Sequence, residues 1–259
     1  MIDFSIIGPA LIVGFLILCT HVPLGQTVLA RGIIFIDLAI AQWAAIGVLA
    51  ASFIQSEPSW WLVQVSAVCA ALLAATVLSW TDRRWPKKQE ALIGTFFVLG
   101  ATSGLLLLAN NPNGGEHLKD LLDGQILWIL WEDLWRIAGV TIGVLVWLRI
   151  FKTRSRALSF YVPFAIAVTL SVQLVGVYLV FASLIVPALA TSHLTGVKRI
   201  VVAVMTGFAG YFLGLIVSSI TDFPSGAVIV WMIALTGFFP QFIGVITKGR
   251  IIKDSLEQS

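Results

Sequence analysis

Long apolar runs follow one another along almost the whole chain. A helix needs about 20 apolar residues to cross the hydrocarbon core of a bilayer. The runs that meet or approach this length are Phe4–Cys19, Ile33–Ile54, Trp60–Trp80, Ala91–Ala109, Leu134–Ile150, Ile200–Ile220 and Ala227–Ile246. A further apolar stretch, Ser159–Ser192, is too long for one crossing and too short for two full ones. The pattern predicts an all-α, polytopic integral membrane protein with about eight transmembrane segments, forming one transmembrane domain over residues 1–259.

The stretch Ser159–Ser192 is predicted to be a broken, re-entrant hairpin. It is flanked on both sides by basic residues, which are Arg154, Arg156, Lys198 and Arg199. By the positive-inside rule the chain must therefore return to the side that it left. We expect the break at Gly176 and the end of the return helix at Pro187, since proline cannot donate an intrahelical hydrogen bond. Irregular backbone at membrane depth survives only where protein or a watery cavity satisfies it, so a transport pathway is expected nearby.

The basic residues are confined to alternate connections between the apolar runs. All but Lys119 and Arg136 of the 16 Lys and Arg fall on one side if the amino terminus lies outside and the carboxyl terminus is cytoplasmic. The positive-inside rule then predicts a multi-pass protein of the cytoplasmic (inner) membrane in this orientation. The net charge of +3 is therefore an orientation signal, and no nucleic-acid partner is expected.

The composition excludes several classes of protein. Only 11% of the 259 residues are charged and 59% are hydrophobic, whereas a soluble domain carries roughly 25% charged residues. The lipid bilayer is therefore the first partner of the chain. No G-x-x-x-x-G-K-[ST] motif occurs, which excludes a P-loop nucleotide domain. Nothing in the sequence resembles a Ser/His/Asp or Cys/His constellation, so we expect neither enzymatic activity nor a permanently bound cofactor.

Asp37 is the one acidic residue that the predicted spans place inside the membrane. An ionisable group there is a functional hypothesis by default, since burial of its charge costs several kcal/mol. Asp37 could line a cation path, or it could pair with Arg31 or cap a neighbouring helix. Gln42 is turned about 140° from Asp37 on an ideal helix, so one cation is not easily held by both side chains. Gln42 could instead make an interhelical hydrogen bond.

The connection Asn110–Asp133 is predicted to face outside and to be acidic. Its turn-forming residues are followed by an amphipathic pattern, which favours a short helix lying on the outer face. Such a mouth would concentrate cations electrostatically. Glu116, His117 and Asp120 offer metal donors at helical spacing, although a solvated acidic loop is the favoured interpretation.

The segment 185–196 is predicted to emerge on the cytoplasmic side as a short helix that ends at Gly196. A helix exposed between two membrane segments is suited to docking in a groove of a partner. His21 and His193 are both predicted to be ordinary histidines near the cytoplasmic surface, because neither has a second His or Cys at ligand spacing.

Several stretches occur in the order found in one transport family. They include PLG at 23–25, VLARG at 28–32, EALIG at 90–94, LLDGQIL at 121–127, VQLVGVYLVFASLIVPA at 172–188 and FPSGA at 223–227. On these stretches, which span about residues 20–230, the chain resembles the permease family of ATP-binding-cassette (ABC) importers for zinc and manganese. The block 172–188 is the most specific of them.

The resemblance implies an all-helical permease that dimerises with a second permease copy. It also implies two cytoplasmic ABC ATPase subunits and an extracytoplasmic metal-binding protein that delivers a divalent metal, zinc foremost, with manganese or iron as alternatives. The segment Ile185–Gly196 matches the coupling helix that enters the ATPase cleft in the family. Its expected partner-binding residues are Pro187, Ala188, Leu189, Thr191, His193 and Gly196.

The second span departs from the family pattern. The family commonly has Gly-Asp-Ala-x-x-His there, with Asp and His as metal ligands one helical turn apart. The same register in this chain holds Asp37 at the Gly position, Leu38 at the Asp position and Gln42 at the His position. Either Asp37 supplies the carboxylate from a shifted position, or this chain passes its metal differently or carries another cation. An oxygen-rich lining suits manganese, whereas family frequency favours zinc.

Two other classes of function compete with the importer. A secondary cation transporter driven by an ion gradient would be expected to carry paired membrane carboxylates in related halves, and the predicted spans contain Asp37 alone. A membrane enzyme would need catalytic groups that the sequence lacks.

Overall fold

The computed structural model describes residues 4–55, 58–109, 122, 124–150 and 158–238, and these contain helices and turns without strands. The helices are α1 (Phe4–Arg31), α2 (Ile36–Ile54), α3 (Trp60–Arg84), α4 (Gln89–Leu108), α5 (Leu134–Ile150), α6 (Leu158–Val175), α7 (Val177–Ala190), α8 (Gly196–Thr221) and α9 (Ser225–Phe238). Short 3-10 turns lie at Pro86–Lys88, Ile126–Trp128 and Trp131–Asp133.

The helix lengths confirm the prediction of an all-α, polytopic membrane protein. In the described part of the chain, five helices (α1 to α4 and α8) are long and apolar enough to cross a membrane, and α6, α7 and α9 are shorter apolar helices. The count of about eight spans stays a prediction. The first helix is longer than its apolar run suggested, since α1 continues through Pro23 to Arg31.

Helices that follow one another along the chain run in opposite directions, which brings the basic residues to one end of the bundle. Arg31 at the end of α1 lies 4.0 Å from Asp82 near the end of α3, and its guanidinium stacks over Phe160 at the start of α6. We call this the basic end; its other basic residues include Arg83, Arg84, Lys87, Lys88, Lys198 and Arg199. At the opposite end, which we call the Trp60 end, Arg136 stacks over Trp60.

Helix α1 lies at the centre, against α5, α7 and α8, while α2 packs between α3 and α4. Small residues permit the closest approaches. A Cβ at Gly210 or Gly214 of α8 would lie 2.6 Å from the Cα of Ile233 or Ile229 of α9, and a Cβ at Gly25 of α1 would overlap the carbonyl of Leu184 of α7. The two α8 glycines therefore seat α9 directly on the backbone of α8.

The predicted break in the hairpin is confirmed, and its predicted end is wrong. Gly176 separates α6 from α7 with a φ of 80°, a left-handed conformation that glycine adopts without strain. Pro187, however, lies inside α7, which runs on to Ala190. Proline is tolerated within membrane helices because neighbouring groups satisfy the freed carbonyl.

Candidate functional site

Asp37 lies in the first turn of α2 with 1% of its surface exposed. Its carboxylate faces the backbone N–H groups of Asp37 and Leu38. Neither oxygen accepts a hydrogen bond of good geometry from any described residue. The start of a helix stabilises a negative charge through the helix dipole. The fold therefore holds a buried carboxylate whose lone pairs are unused by the described protein groups.

The alternative in which Asp37 pairs with Arg31 is wrong. Arg31 is engaged at the basic end, where it pairs with Asp82 and stacks over Phe160 at 4.5 Å. The sequence could not reveal this pair, because Arg31 and Asp82 meet only when α1 and α3 end at the same surface.

Gln42 is half-buried and faces α4. A Cβ at Gly100 of α4 would lie 3.0 Å from the Cβ of Gln42. The adjacent Trp43 donates its indole N–H to the carbonyl of Phe96 at 3.1 Å, again on α4. Since Gln42 and Asp37 are about 140° apart on the helix, the two side chains face different neighbours, and a shared metal site needs a distortion of α2.

Glu90 directly precedes the predicted run Ala91–Ala109, and it lies in the first turn of α4. Its carboxylate faces the backbone N–H groups of Ile34 and Phe35, which lead into α2. One of its oxygens, Oε2, is buried without a hydrogen-bond partner among the described residues. The EALIG motif was the signal that could have identified it. The carboxylate of Glu90 thus lies against the turn that leads into α2, the helix that carries Asp37.

His21 corrects a second expectation, because it is fully buried in α1 rather than near a surface. Its Nδ1 lies 3.0 Å from the carbonyl of Ile17, so Nδ1 carries the proton if this hydrogen bond forms. Its Nε2 has no partner in the described part of the chain. The predicted apolar run ends at Cys19, which placed His21 beyond the span. Because α1 continues to Arg31, His21 lies within the helix instead.

A cavity of about 330 Å³ opens between α1, α3, α5 and α6 at the Trp60 end. Gln64 of α3 donates to Gln173 of α6 across it at 2.6 Å. At its mouth, Arg136 pairs with Asp133 at 3.4 Å. The carboxylate of Asp133 is compensated by this ion pair, and the lining of the cavity is mostly apolar, so the cavity is not a cation trap.

The metal donors predicted in the outer connection, Glu116, His117 and Asp120, lie outside the described residues. Within the described ranges, no group of three or more His, Cys, Asp or Glu could hold a metal ion. In the described part of the chain, Asp37 is thus not one of a cluster of metal-ligating side chains.

The predicted helix 185–196 is wrong as a separate element. Those residues form the last turn of α7, a hydrogen-bonded turn, and the first residue of α8, where Gly196 begins a helix instead of ending one. The turn is closed by the N–H of Ser192 bonding to Leu189 at 3.0 Å and that of Leu194 bonding to Thr191 at 3.0 Å.

The burial of this turn divides the predicted partner-binding residues into two sets. Pro187, Ala188 and Thr191 are buried inside the bundle, whereas Leu189, His193 and Gly196 are exposed. Val197, which the sequence analysis did not select, is 77% exposed beside them. The exposed set, at the same end of the bundle as the Arg31 pair, is the surface that a partner could contact; we call it the α7–α8 turn.

A family model described as the ABC 3 transport family matches residues 3–161 and 151–244 of the chain. The chain is 25% identical over 274 residues to the manganese transport system membrane protein MntC of Halalkalibacterium halodurans, covering 96% of this chain and 92% of that protein. It is 28% identical over 214 residues to a probable iron transport system membrane protein of Haemophilus influenzae, covering 72% of this chain and 74% of that protein.

Among solved structures, the fold is similar to PsaBC from Streptococcus pneumoniae in complex with Fab. The TM-score is 0.72, the sequence identity is 21%, and 90% of each chain is covered. At this identity the likeness concerns the fold alone.

Proposed function

This chain belongs to the ABC 3 transport family, and we propose from that membership that it is the permease subunit of an ABC importer that moves a divalent transition metal into the cytoplasm. Members of this family are membrane subunits of transporters rather than enzymes themselves. ATP hydrolysis is then the work of a separate subunit.

The observation that supports a cation path most strongly is the burial of the Asp37 carboxylate without a described side-chain partner. A divalent ion that leaves water needs compensating negative charge in a low-dielectric interior. Asp37 supplies a carboxylate that is buried and whose oxygens no described residue occupies. In this proposal the carboxylate offers a transient ligand, and water or backbone carbonyls complete the coordination as the ion passes.

The partners follow from the two ends of the molecule. With the basic end cytoplasmic, as the positive-inside rule predicts, the α7–α8 turn faces the ATPase subunit. The Trp60 end then faces outside and meets a metal-binding protein. A second permease copy completes the pathway in this proposal, and it covers part of the apolar surface that the single chain leaves exposed.

The metal is proposed only as a class. Relatives are named for manganese and for iron, and the sequence resemblance also implies zinc. The carboxylate of Asp37 is a hard oxygen donor, which suits manganese better than a soft ligand would.

The test is ATP hydrolysis by the complex of permease, ATPase and metal-binding protein reconstituted in nanodiscs. The proposal predicts a higher rate when the binding protein is loaded with manganese, iron(II) or zinc than when it is empty. A rate of ATP hydrolysis that depends on neither the binding protein nor the metal would contradict the proposal. Metal uptake driven by a proton gradient without ATP would instead support the secondary transporter.

A further inference from the structure

The segment 124–129, which leads from the outer connection toward α5, is built onto the hairpin break. Gly124 has a φ of 70°, and a Cβ at this position would overlap the backbone of Val175 and Gly176. Its backbone therefore touches the break directly, and glycine meets both requirements of the position.

A hydrogen bond fixes the same contact. The break at Gly176 prevents the carbonyl of Leu174 from continuing the regular helical pattern, and Gln125 donates its N–H to this carbonyl at 3.2 Å. An unpaired carbonyl at membrane depth costs free energy. The N–H of Gln125 therefore satisfies a carbonyl that the break would otherwise leave unpaired.

The side chains of the segment alternate between two environments. Ile126 and Ile129 are buried in the core cluster, whereas Trp128 between them is 80% exposed. Trp131, which follows, packs on α1, because a Cβ at Gly8 would lie 2.9 Å from its ring. One face of this stretch is thus anchored in the bundle while the other is presented to the surroundings at the Trp60 end.

We propose that residues 124–129 are a connector that transmits docking of the extracytoplasmic metal-binding protein to the α6–α7 break. This inference rests on the proposed function. Displacement of the exposed face must displace the backbone of Gly124 and Gln125, which contacts Val175 and Leu174. The break is continuous through α7 with the α7–α8 turn, so one rigid path joins the two ends of the molecule.

Residues 124–129 would behave differently in cross-linking if they were a lid and not a connector. A lid must separate from the hairpin during each transport cycle, whereas a connector must remain attached to it. Cross-linking cysteines at positions 125 and 174, in a background with Cys19 and Cys69 replaced by serine, distinguishes the two. If the segment is a connector, the loaded binding protein should stimulate ATP hydrolysis by the cross-linked complex to within about twofold of its effect on the uncross-linked complex. A twofold change is smaller than about fivefold, the lower limit of a typical coupling effect. Loss of stimulation on cross-linking, with recovery after cleavage of the link, would overturn it.

The second test measures basal and stimulated ATP hydrolysis separately. Gly124→Ala should reduce stimulation by the loaded binding protein about fivefold or more, the lower end of typical coupling effects, because the added methyl group pushes the segment off the break. The basal rate should stay unchanged. Gly143→Ala is the matched control, since a Cβ at Gly143 meets no atom within 4 Å.

Ile126→Ala provides a variant without backbone strain, and it should weaken stimulation in the same direction because it loosens the buried face. Stimulation at the wild-type level in both variants would overturn the connector, as would an equal loss of basal and stimulated rates, which marks a structural role. If the wild-type complex shows no stimulation at all, the proposed function fails and the connector fails with it.

Discussion

At the residue scale, the carboxylate of Asp37 lies in a place where burial of a charge costs free energy. Asp37 is buried at the start of α2, and Arg31, the nearest basic residue in sequence, is committed to Asp82. The start of the helix compensates part of the cost through its dipole, by at most about 2 kcal/mol. A group retained against such a cost in a membrane is a functional candidate.

Asp37→Asn should lower metal uptake about tenfold or more, a loss of about 1.4 kcal/mol or more of ion stabilisation. The substitution keeps the size of the side chain and removes its charge. Uptake of radioactive metal into cells that express equal amounts of each variant measures the effect. Gln42→Ala is the comparison and should reduce uptake less, because Gln42 faces α4. Wild-type uptake by a well-expressed Asp37→Asn protein would remove Asp37 from the pathway.

At the element scale, hydropathy and one glycine were enough to predict most helices and the hairpin break. The continuation of α7 through Pro187 could not be predicted, because the groups that satisfy a freed carbonyl come from the tertiary structure. The burial of His21 and the position of Glu90 were missed for a related reason. A boundary drawn where apolar residues end does not show where a helix ends, since packing carries α1 and α4 beyond their apolar runs.

The α7–α8 turn allows a pair of variants to separate folding from docking. Val197→Glu should insert normally, since Val197 is exposed and an acid in the first turn of α8 is favoured by the helix dipole. It should nevertheless lose co-purification with the ATPase. Ala188→Glu should fail to accumulate, because Ala188 is fully buried and an unpaired buried charge costs about 3–5 kcal/mol. Full ATPase binding by Val197→Glu would exclude docking at this turn.

The contact of α8 with α9 provides a stability prediction. Gly214→Ala should destabilise the purified protein by about 1–3 kcal/mol, the usual cost of overpacking, since the new methyl group would meet Ile229 at 2.6 Å. Gly139→Ala, where a Cβ meets no atom within 4 Å, should be neutral or stabilising by about 0.5–1 kcal/mol. Thermal unfolding in detergent measures both variants. Equal melting temperatures would show that α8 and α9 do not pack so closely.

At the scale of the whole molecule, the fold gathers the basic clusters of its described helices at one end. This arrangement follows because the chain reverses direction from one helix to the next, and it was predictable from the alternation of charge along the sequence. The side of the membrane is a further step, which rests on the positive-inside rule.

The orientation can be tested by labelling single cysteines introduced at Lys88 and Asn113 in a cysteine-free background. Lys88 belongs to the basic end and should be protected from an impermeant reagent in intact cells. Asn113 lies in the predicted outer connection and should be labelled. Labelling of position 88 alone from outside would show the opposite orientation. Labelling of both positions from outside would contradict the predicted topology.

In the proposed function, this chain is the path by which an ABC importer carries a divalent transition metal. The most direct test is accumulation of manganese, iron(II) and zinc inside proteoliposomes that contain the permease and its ATPase, with the metal-loaded binding protein outside and ATP inside. We expect accumulation of at least one of these metals that requires ATP and the binding protein and is unaffected by a proton ionophore. Accumulation without ATP, or its loss on adding the ionophore while ATP remains, would contradict the account.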